Sequence, residues 1–173
     1  MHSSELLSNS GLSPESLSAF YKSELFAGLE PESLATLHQI VRRQELAAGE
    51  HLFRLGEEAK TIFIIESGRI ALTLPLTIRG TAQDITIEEK EHGAVIAWSV
   101  LIPPHKLTLG AHAVTDAVLH GIDRADLVSL FERQPRIKLT TFVNLAQVIA
   151  SRLYQLEGIM LRDLQRWVTE KYA

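Results

Sequence analysis

The sequence contains no cysteine, which excludes disulfide bonds, thiol catalysis and cysteine-ligated metal sites. It also lacks an excess of positive charge, since the formal net charge is −4. The phosphate backbone of a nucleic acid binds to basic surfaces, so this charge argues against a nucleic-acid partner. No apolar run is long enough to cross a bilayer, and the opening stretch MHSSELLSNSG lacks the charged and apolar regions of a signal peptide. These absences predict a soluble, cytoplasmic protein that binds neither membranes nor nucleic acids directly.

Common catalytic signatures are missing as well. The chain has no GxSxG, Walker or GxGxxG run, and its seven histidines are scattered without a metal-binding spacing such as HExxH. The carboxylates of Glu88, Glu89 and Glu91 surround Lys90, a pattern typical of the solvated face of a strand rather than of an acid–base pair. We therefore expect no enzymatic activity and no metal site. An enzyme with a site in a barrel is a remote alternative.

The chain has 173 residues, of which 46% are hydrophobic, enough for one globular domain with an appended element. Helix signals occupy the first part, to about Arg42. Ser13-Pro14-Glu15 has the form of an N-cap followed by proline at the first helical position, and Glu30-Pro31-Glu32 begins a second helix. Apolar residues then recur at helical spacing as far as Val41, which predicts that this second helix packs one face on a core.

The middle of the chain, from about Gln44 to Asp123, reads as strands and turns. Segments rich in β-forming residues, such as TIFIIE, RIALTL and DITIEE, lie between glycines, with no helical pattern between them. The stretch Glu66-Ser67-Gly68-Arg69 predicts a tight hairpin turn. Short strands at this spacing indicate an antiparallel barrel or jelly roll. The expected fold class is mainly β, an antiparallel β-roll with N-terminal helices and a long C-terminal helix.

The last part is helical from about Arg124 to the end, and a long helix begins near Pro135. In it, apolar residues recur every three or four positions, interrupted by Asp163. The members of this stripe are Phe142, Ala146, Ile149, Leu153, Leu156, Met160 and Trp167. A stripe of this kind predicts that the helix pairs with its twin in a homodimer. The alternative is a helix that lies along its own barrel.

The order of these elements resembles a known family. The sequence LAAGEHLFRLGEEAKTIFIIESGRIALTL, the later IDRADLVSLFERQP and the long helix are similar to the cyclic nucleotide-binding domain of the catabolite activator and cGMP-dependent kinase superfamily. The resemblance implies an eight-stranded β-roll, a helical part that relays ligand occupancy, and a regulatory role. It divides the chain into an N-terminal extension (1–24), the roll with its flanking helices (25–134) and a dimerisation helix (135–173).

The resemblance does not extend to the residues that bind the cyclic nucleotide in this family. The family's phosphate-binding cassette carries Phe-Gly-Glu, whose glutamate accepts from the ribose 2′-hydroxyl, and later Arg-x-Ala, whose arginine binds the cyclic phosphate. Here Ile96-Ala97-Trp98 stands at the first motif, and Leu107 stands near the arginine position. We therefore expect cyclic AMP and cyclic GMP to bind weakly or not at all, and we expect no other cofactor.

Three interpretations of the altered cassette stay open, and the third is a cyclic nucleotide site that survives both changes. In the first, it binds an unknown small anionic or aromatic molecule, with Trp98 as a wall and Lys106 as the charge. The candidate residues are Ala97, Trp98, Ser99, Val100, His105, Lys106 and Leu107. In the second, apolar side chains fill the old pocket, and the roll serves as a protein-interaction module. Since the chain stops without a winged helix-turn-helix, the output is expected to pass through dimerisation or a partner protein.

Overall fold

The computed structural model describes residues 13–172, so the first twelve residues of the predicted extension (1–24) lie outside the described part. Four α-helices lie in this part: α1 (Pro14–Lys22), α2 (Pro31–His38), α3 (Arg124–Arg133) and α4 (Pro135–Tyr172). The eight strands are β1 (Val41–Leu46), β2 (His51–Phe53), β3 (Thr61–Ser67), β4 (Ile70–Ile78), β5 (Thr81–Lys90), β6 (Val95–Ile96), β7 (Gly110–Ala113) and β8 (Ala117–Asp123). A short 3₁₀ helix, Trp98–Leu101, lies between β6 and β7.

The strands form two four-stranded sheets whose pairs are all antiparallel. One sheet has the order β1-β8-β3-β6 and the other β2-β7-β4-β5. Fully buried aliphatic side chains fill the space between and behind the sheets, among them Ile62, Ile64, Ile70 and Leu119. The predicted antiparallel β-roll, with N-terminal helices and a long C-terminal helix, is confirmed.

The turn at Gly68 differs from its prediction. β3 ends at Ser67 and β4 begins at Ile70, but β3 pairs with β6 and β8 while β4 pairs with β5 and β7. The expected hairpin is therefore wrong, because this turn carries the chain from one sheet to the other. Glycine is still required: its φ is +83°, and a Cβ there would lie 2.3 Å from the carbonyl oxygen of Asp116.

The N-terminal helices begin where the sequence predicts, but α2 ends earlier than predicted. Ser13 Oγ accepts from the backbone N–H of Ser16 at 3.1 Å, which confirms the predicted N-cap of α1. α2 ends at His38, and Val41 begins β1 opposite Ile122 of β8. The expectation that the helical stripe reaches Val41 is wrong, because pairing with a distant strand outweighs the local spacing.

The long helix α4 is buried only near its beginning. Its buried side chains are Ile137, Thr141 and Leu145. Its Asn144 Nδ2 donates to the carbonyl oxygens of Leu25 and Ala27, at 3.0 and 2.8 Å, and so holds the turn that follows α1. No helix between residues 13 and 172 is long and apolar enough to cross a membrane.

Candidate functional site

The segment between β6 and β7 forms the cassette. β6 (Val95–Ile96) is followed by Ala97, whose φ is +63°. One turn of 3₁₀ helix, Trp98–Leu101, comes directly after Ala97. The left-handed conformation favours glycine, so this alanine is held in a backbone geometry that it adopts only at a cost. The resemblance places glycine at this position. The cassette therefore keeps the family's turn although the residue has changed.

Side chains of the protein itself fill the interior of the cassette. Val100 is fully buried, Leu107 is 6% exposed and Ser99 is also buried. Only a cavity of about 30 Å³ remains beside them. It is lined by Phe53, Leu72, Ile96, Ala97, Trp98, Ser99, Leu107, Thr108, Leu109 and Arg152. Pockets for small molecules are usually on the order of 300–1,000 Å³, so this space suits a water molecule rather than a nucleotide.

Arg152 joins the long helix to the cassette. Its guanidinium carbon lies 5.6 Å from the centre of the Trp98 ring, within the range of a cation–π contact. One of its nitrogens also lies 3.8 Å from a carboxylate oxygen of Glu88 on β5. Arg152 could not be predicted from the sequence, because no local spacing connects a helical arginine with a tryptophan on a distant loop.

The structure separates the predicted cassette residues into two groups. Ala97, Trp98, Ser99 and Leu107 line the small cavity, and Val100 is buried beneath it. His105 and Lys106 do not line that cavity. His105 Nδ1 lies 3.0 Å from the carbonyl oxygen of Val100, and the exposed Lys106 donates to the carbonyl oxygen of Gly56 at 3.4 Å. In this conformation both side chains brace the loop, and a ligand role for them stays a prediction.

An open groove of about 870 Å³ lies beside the cassette, between the roll and α4. On the roll it is lined by Ile87, Glu88, Trp98, Thr108 and Leu109. On α4 it is lined by Ile149, Arg152, Leu153, Tyr154, Gln155, Leu156, Gly158, Ile159 and Arg162. Trp98 and Arg152 contribute to both the groove and the small cavity, so their contact separates the two spaces.

The predicted dimer stripe is exposed in the single chain. The exposed fractions are 39% for Phe142, 36% for Ile149, 54% for Leu153, 57% for Leu156, 62% for Met160 and 54% for Trp167, and Ala146 is exposed too. Leu164, which is 55% exposed, was not among the predicted members of the stripe. It follows Leu153 by three helical turns and lies within about 20° of it around the helix axis. Leu164 continues the apolar face past Asp163.

In the part of the chain that the structure describes, no three His, Asp or Glu side chains are arranged to hold a metal ion.

Comparison with known proteins identifies the family. The family model for the cyclic nucleotide-binding domain matches residues 43–134, more than half of the chain. The chain belongs to the cyclic nucleotide-binding domain family. Among curated proteins, none matches it significantly.

Solved structures of cyclic nucleotide-binding proteins have folds similar to that of this chain. The catabolite activator protein of Thermus thermophilus is 26% identical, with a TM-score of 0.68, and the match covers 80% of this chain but only 62% of that one. A cyclic nucleotide-binding domain from Methylobacillus flagellatus is 18% identical, with a TM-score of 0.73, and 86% and 82% of the two chains are covered. The regulatory domain of Toxoplasma gondii PKA, solved with cAMP, is 18% identical over 65% of this chain and 41% of that one, with a TM-score of 0.56. The last two similarities show the fold alone.

Against the family's cassette, this one keeps the shape and changes the chemistry. The turn at Ala97 and the short helix after it are present. The resemblance places Trp98 at the position of the ribose-binding glutamate and the buried Leu107 near that of the phosphate-binding arginine, with the exposed Lys106 beside it. That correspondence stays a prediction, and under it two charged groups are replaced by apolar ones.

Proposed function

We propose that this chain is a non-enzymatic regulatory module in which the family's cassette is closed by its own side chains, and in which α4 carries the output as a homodimer. The observation that supports it most is the cavity of about 30 Å³ left between Trp98, Ser99, Leu107 and Arg152. A ligand the size of a nucleotide enters only if these side chains move. A protein partner that contacts the dimer then receives the output.

The loss of charge argues against ordinary binding of cyclic AMP or cyclic GMP. Leu107 offers an anionic phosphate no charge, and Trp98 offers the ribose hydroxyls no acceptor. Each missing charge-assisted hydrogen bond costs about 1.5–3 kcal/mol. Two such losses lower an affinity by several orders of magnitude if they act independently.

Homodimerisation is supported by the exposed apolar face of α4. Leu153, Met160 and Leu164 are each more than half exposed and lie on one side of the helix. Contiguous apolar surface of this kind marks interaction sites. The contact between Arg152 and Trp98 connects the cassette to the same helix. A movement of the cassette is therefore expected to shift α4, and a movement of α4 to shift the cassette.

A second candidate function is sensing of a small aromatic anion, and the geometry of Arg152 favours it. The guanidinium lies over the Trp98 ring at the edge of a groove of about 870 Å³, so a cation and a flat apolar surface already face one another. A flat anion that inserts there would take the place of Arg152 on the ring and pair with its charge. In this version Arg152 supplies the charge that the sequence assigned to Lys106.

Thermal unfolding with three probes separates these functions: cyclic AMP, cyclic GMP and phenyl phosphate. A ligand present at about 100 times its Kd stabilises a protein by about 2.7 kcal/mol. For the closed cassette we expect no stabilisation by any probe. Stabilisation by phenyl phosphate that disappears in Arg152→Gln and persists in the control Lys106→Gln would establish the second function. Stabilisation by either cyclic nucleotide at micromolar concentration would overturn the first.

A further inference from the structure

A partly buried polar cluster lies between α1 and the sheet that contains β3 and β8, away from the cassette. Glu66 Oε2 accepts hydrogen bonds from His120 Nε2 at 2.6 Å and from Ser16 Oγ at 2.5 Å. The carbonyl oxygen of Glu66 lies 2.7 Å from His92 Nδ1, and His92 Nε2 lies 3.0 Å from Ser18 Oγ. Two serines of α1 are thus tied to the sheet through Glu66 and His92.

His120 is the most enclosed member of the cluster. Its side chain is 3% exposed, and Nδ1 has no hydrogen-bond partner among residues 13–172. Since Nε2 donates to the Glu66 carboxylate, Nδ1 carries the lone pair of a neutral imidazole. Burial lowers the pKa of His120, and the hydrogen bond and charge of Glu66 oppose that shift only in part.

α1 covers this imidazole and its neighbour. The Phe20 ring lies 5.4 Å from the His120 ring and 5.8 Å from the His38 ring, measured between centroids. The two imidazoles are 6.5 Å apart. Burial, and then the proximity of His120, lower the pKa of His38. Both rings are therefore neutral beneath Phe20 at neutral pH.

The charges around His120 come from every element packed on it. β3 contributes the Glu66 carboxylate, β1 the Arg43 guanidinium and the end of α2 the His38 imidazole, while α1 contributes the uncharged Ser16 and Phe20. These polar groups line a cavity of about 360 Å³ together with Ser13 and Val41. Burial raises the pKa of Glu66, but hydrogen bonds from Ser16 and His120 lower it overall. Arg43 is itself paired with Glu45, the neighbouring carboxylate on β1. A charged His120 would therefore share Glu66 with Ser16 and lie near a second cation, Arg43.

We propose that α1 is a proton-sensitive clasp, released from the sheet when His120 Nδ1 takes up a proton. A proton on this atom finds no acceptor in the described part of the chain, so it must be hydrated by water. The ring borders the cavity of about 360 Å³, but its Nδ1 atom is buried, and Phe20 of α1 packs against the ring. Release of α1 then exposes Nδ1 to water. The serines of α1 then lose their partners on Glu66 and His92.

The direction of the pH effect follows from linkage. With α1 docked, the pKa of His120 lies below the 6.5 that an exposed histidine shows, so the docked state binds fewer protons than the released one. Docking is therefore strongest above about pH 6.5 and weakens as the pH falls below that value. The lowered pKa of Glu66 adds a second loss of docking that begins only below its ordinary value of 4.5.

Release of α1 also reaches the long helix. The turn that follows α1 is held at Leu25 and Ala27 by the side chain of Asn144 on α4. Phe26 in the same turn is 1% exposed and belongs to the core. Loosening α1 therefore loosens the contacts that fix the base of α4. The clasp acts independently of any ligand in the cassette.

Hydrogen exchange of the α1 amides tests the clasp, at about pH 7.5 and about pH 5, values that bracket the ordinary histidine titration. Rates are corrected for intrinsic chemistry and referred to α3 in the same samples. We expect the corrected α1 rates to rise on acidification, by about sevenfold if docking lowers the pKa of His120 by one unit and by at most about thirtyfold, because pH 5 lies only about 1.5 units below the ordinary histidine value. In His120→Gln the rise should disappear, because glutamine still donates to Glu66 but takes up no proton. The matched control is His112→Gln on β7, half-buried beside His51 on the other sheet, and it should behave as the wild type.

Equal corrected α1 protection at both pH values would overturn the clasp, and so would an unchanged rise in His120→Gln. If His120→Gln does not fold, an NMR titration of the wild-type imidazoles decides the question. The clasp requires a neutral His120 with its proton on Nε2 at neutral pH and a pKa below that of exposed histidines. An imidazolium at neutral pH would contradict it.

Discussion

The cassette and the long helix contrast in how their apolar side chains are covered. In the cassette, Val100 and Leu107 are 0% and 6% exposed within one chain, whereas on α4 Leu153 and Met160 are 54% and 62% exposed. The cassette is therefore packed without a ligand, while the helix needs a second surface to bury its face. The contrast supports the proposal that this chain acts through association of α4 rather than through an open pocket.

The largest effect is expected from a charge on the exposed face of α4. Leu153→Glu should convert the homodimer into a monomer, since pairing would bury a carboxylate without a partner. Light scattering should show the mass fall by about half, as closure of a twofold dimer requires. Gln165→Glu is the matched control, because this exposed polar residue lies outside the apolar stripe, and it should leave the mass unchanged. The wild-type chain should be dimeric at tens of micromolar, a rough working concentration for interfaces of standard size. A wild-type monomer at that concentration would contradict the proposed association of α4.

A cavity in the cassette should cost less but still be large. Leu107→Ala should lower the free energy of unfolding by about 2–4 kcal/mol, because the truncated side chain leaves a void among packed neighbours. Chemical denaturation measures the difference. Its control is Thr108→Ala, which borders the same cavity but is exposed and should change stability by less than about 0.5 kcal/mol. If the two variants cost the same, the cassette is not packed as described.

The smallest effect is expected where the two regions meet. Arg152→Gln removes the cation over Trp98 and should cost about 0.5–1 kcal/mol, the value of a partly exposed cation–π contact. It should also shift Trp98 emission to longer wavelength, measured with Trp167→Phe as background. Arg162→Gln, which lines the same groove without a contact to Trp98, should leave the emission unchanged. An identical spectrum in both variants would mean that Arg152 does not close the cassette.

Much of the fold was predictable from local chemistry. Ser13-Pro14 and Pro135 mark helix starts, and the β-rich runs between glycines mark strands, because each signal acts within a few residues. The turn at Gly68 shows the limit. The glycine predicted a turn at this position. Whether the turn joins two strands of one sheet or crosses between the sheets depends on the pairing of β3 with β8 and of β4 with β7, far along the chain.

The candidate site was predictable only in outline. The exchange of Glu and Arg for Trp98 and Leu107 was visible once the family pattern was recognised, and it anticipated a changed cassette. The partner of Trp98 was not visible, since Arg152 reaches it only through the packing of α4 on the roll. Glu66 and His120 likewise read as an ordinary turn residue and a scattered histidine until two strands of one sheet bring them together.

The most direct test of the closed cassette is a calorimetric titration of the wild-type chain with cyclic AMP and then with cyclic GMP. The account predicts no binding heat for either nucleotide at concentrations up to about 0.1 mM, since two charged contacts are absent and the cavity holds about 30 Å³. A Kd in the low micromolar range for either one would contradict it. Such a result would mean that Trp98 and Arg152 part readily and that Lys106 and the backbone amides suffice to bind the phosphate.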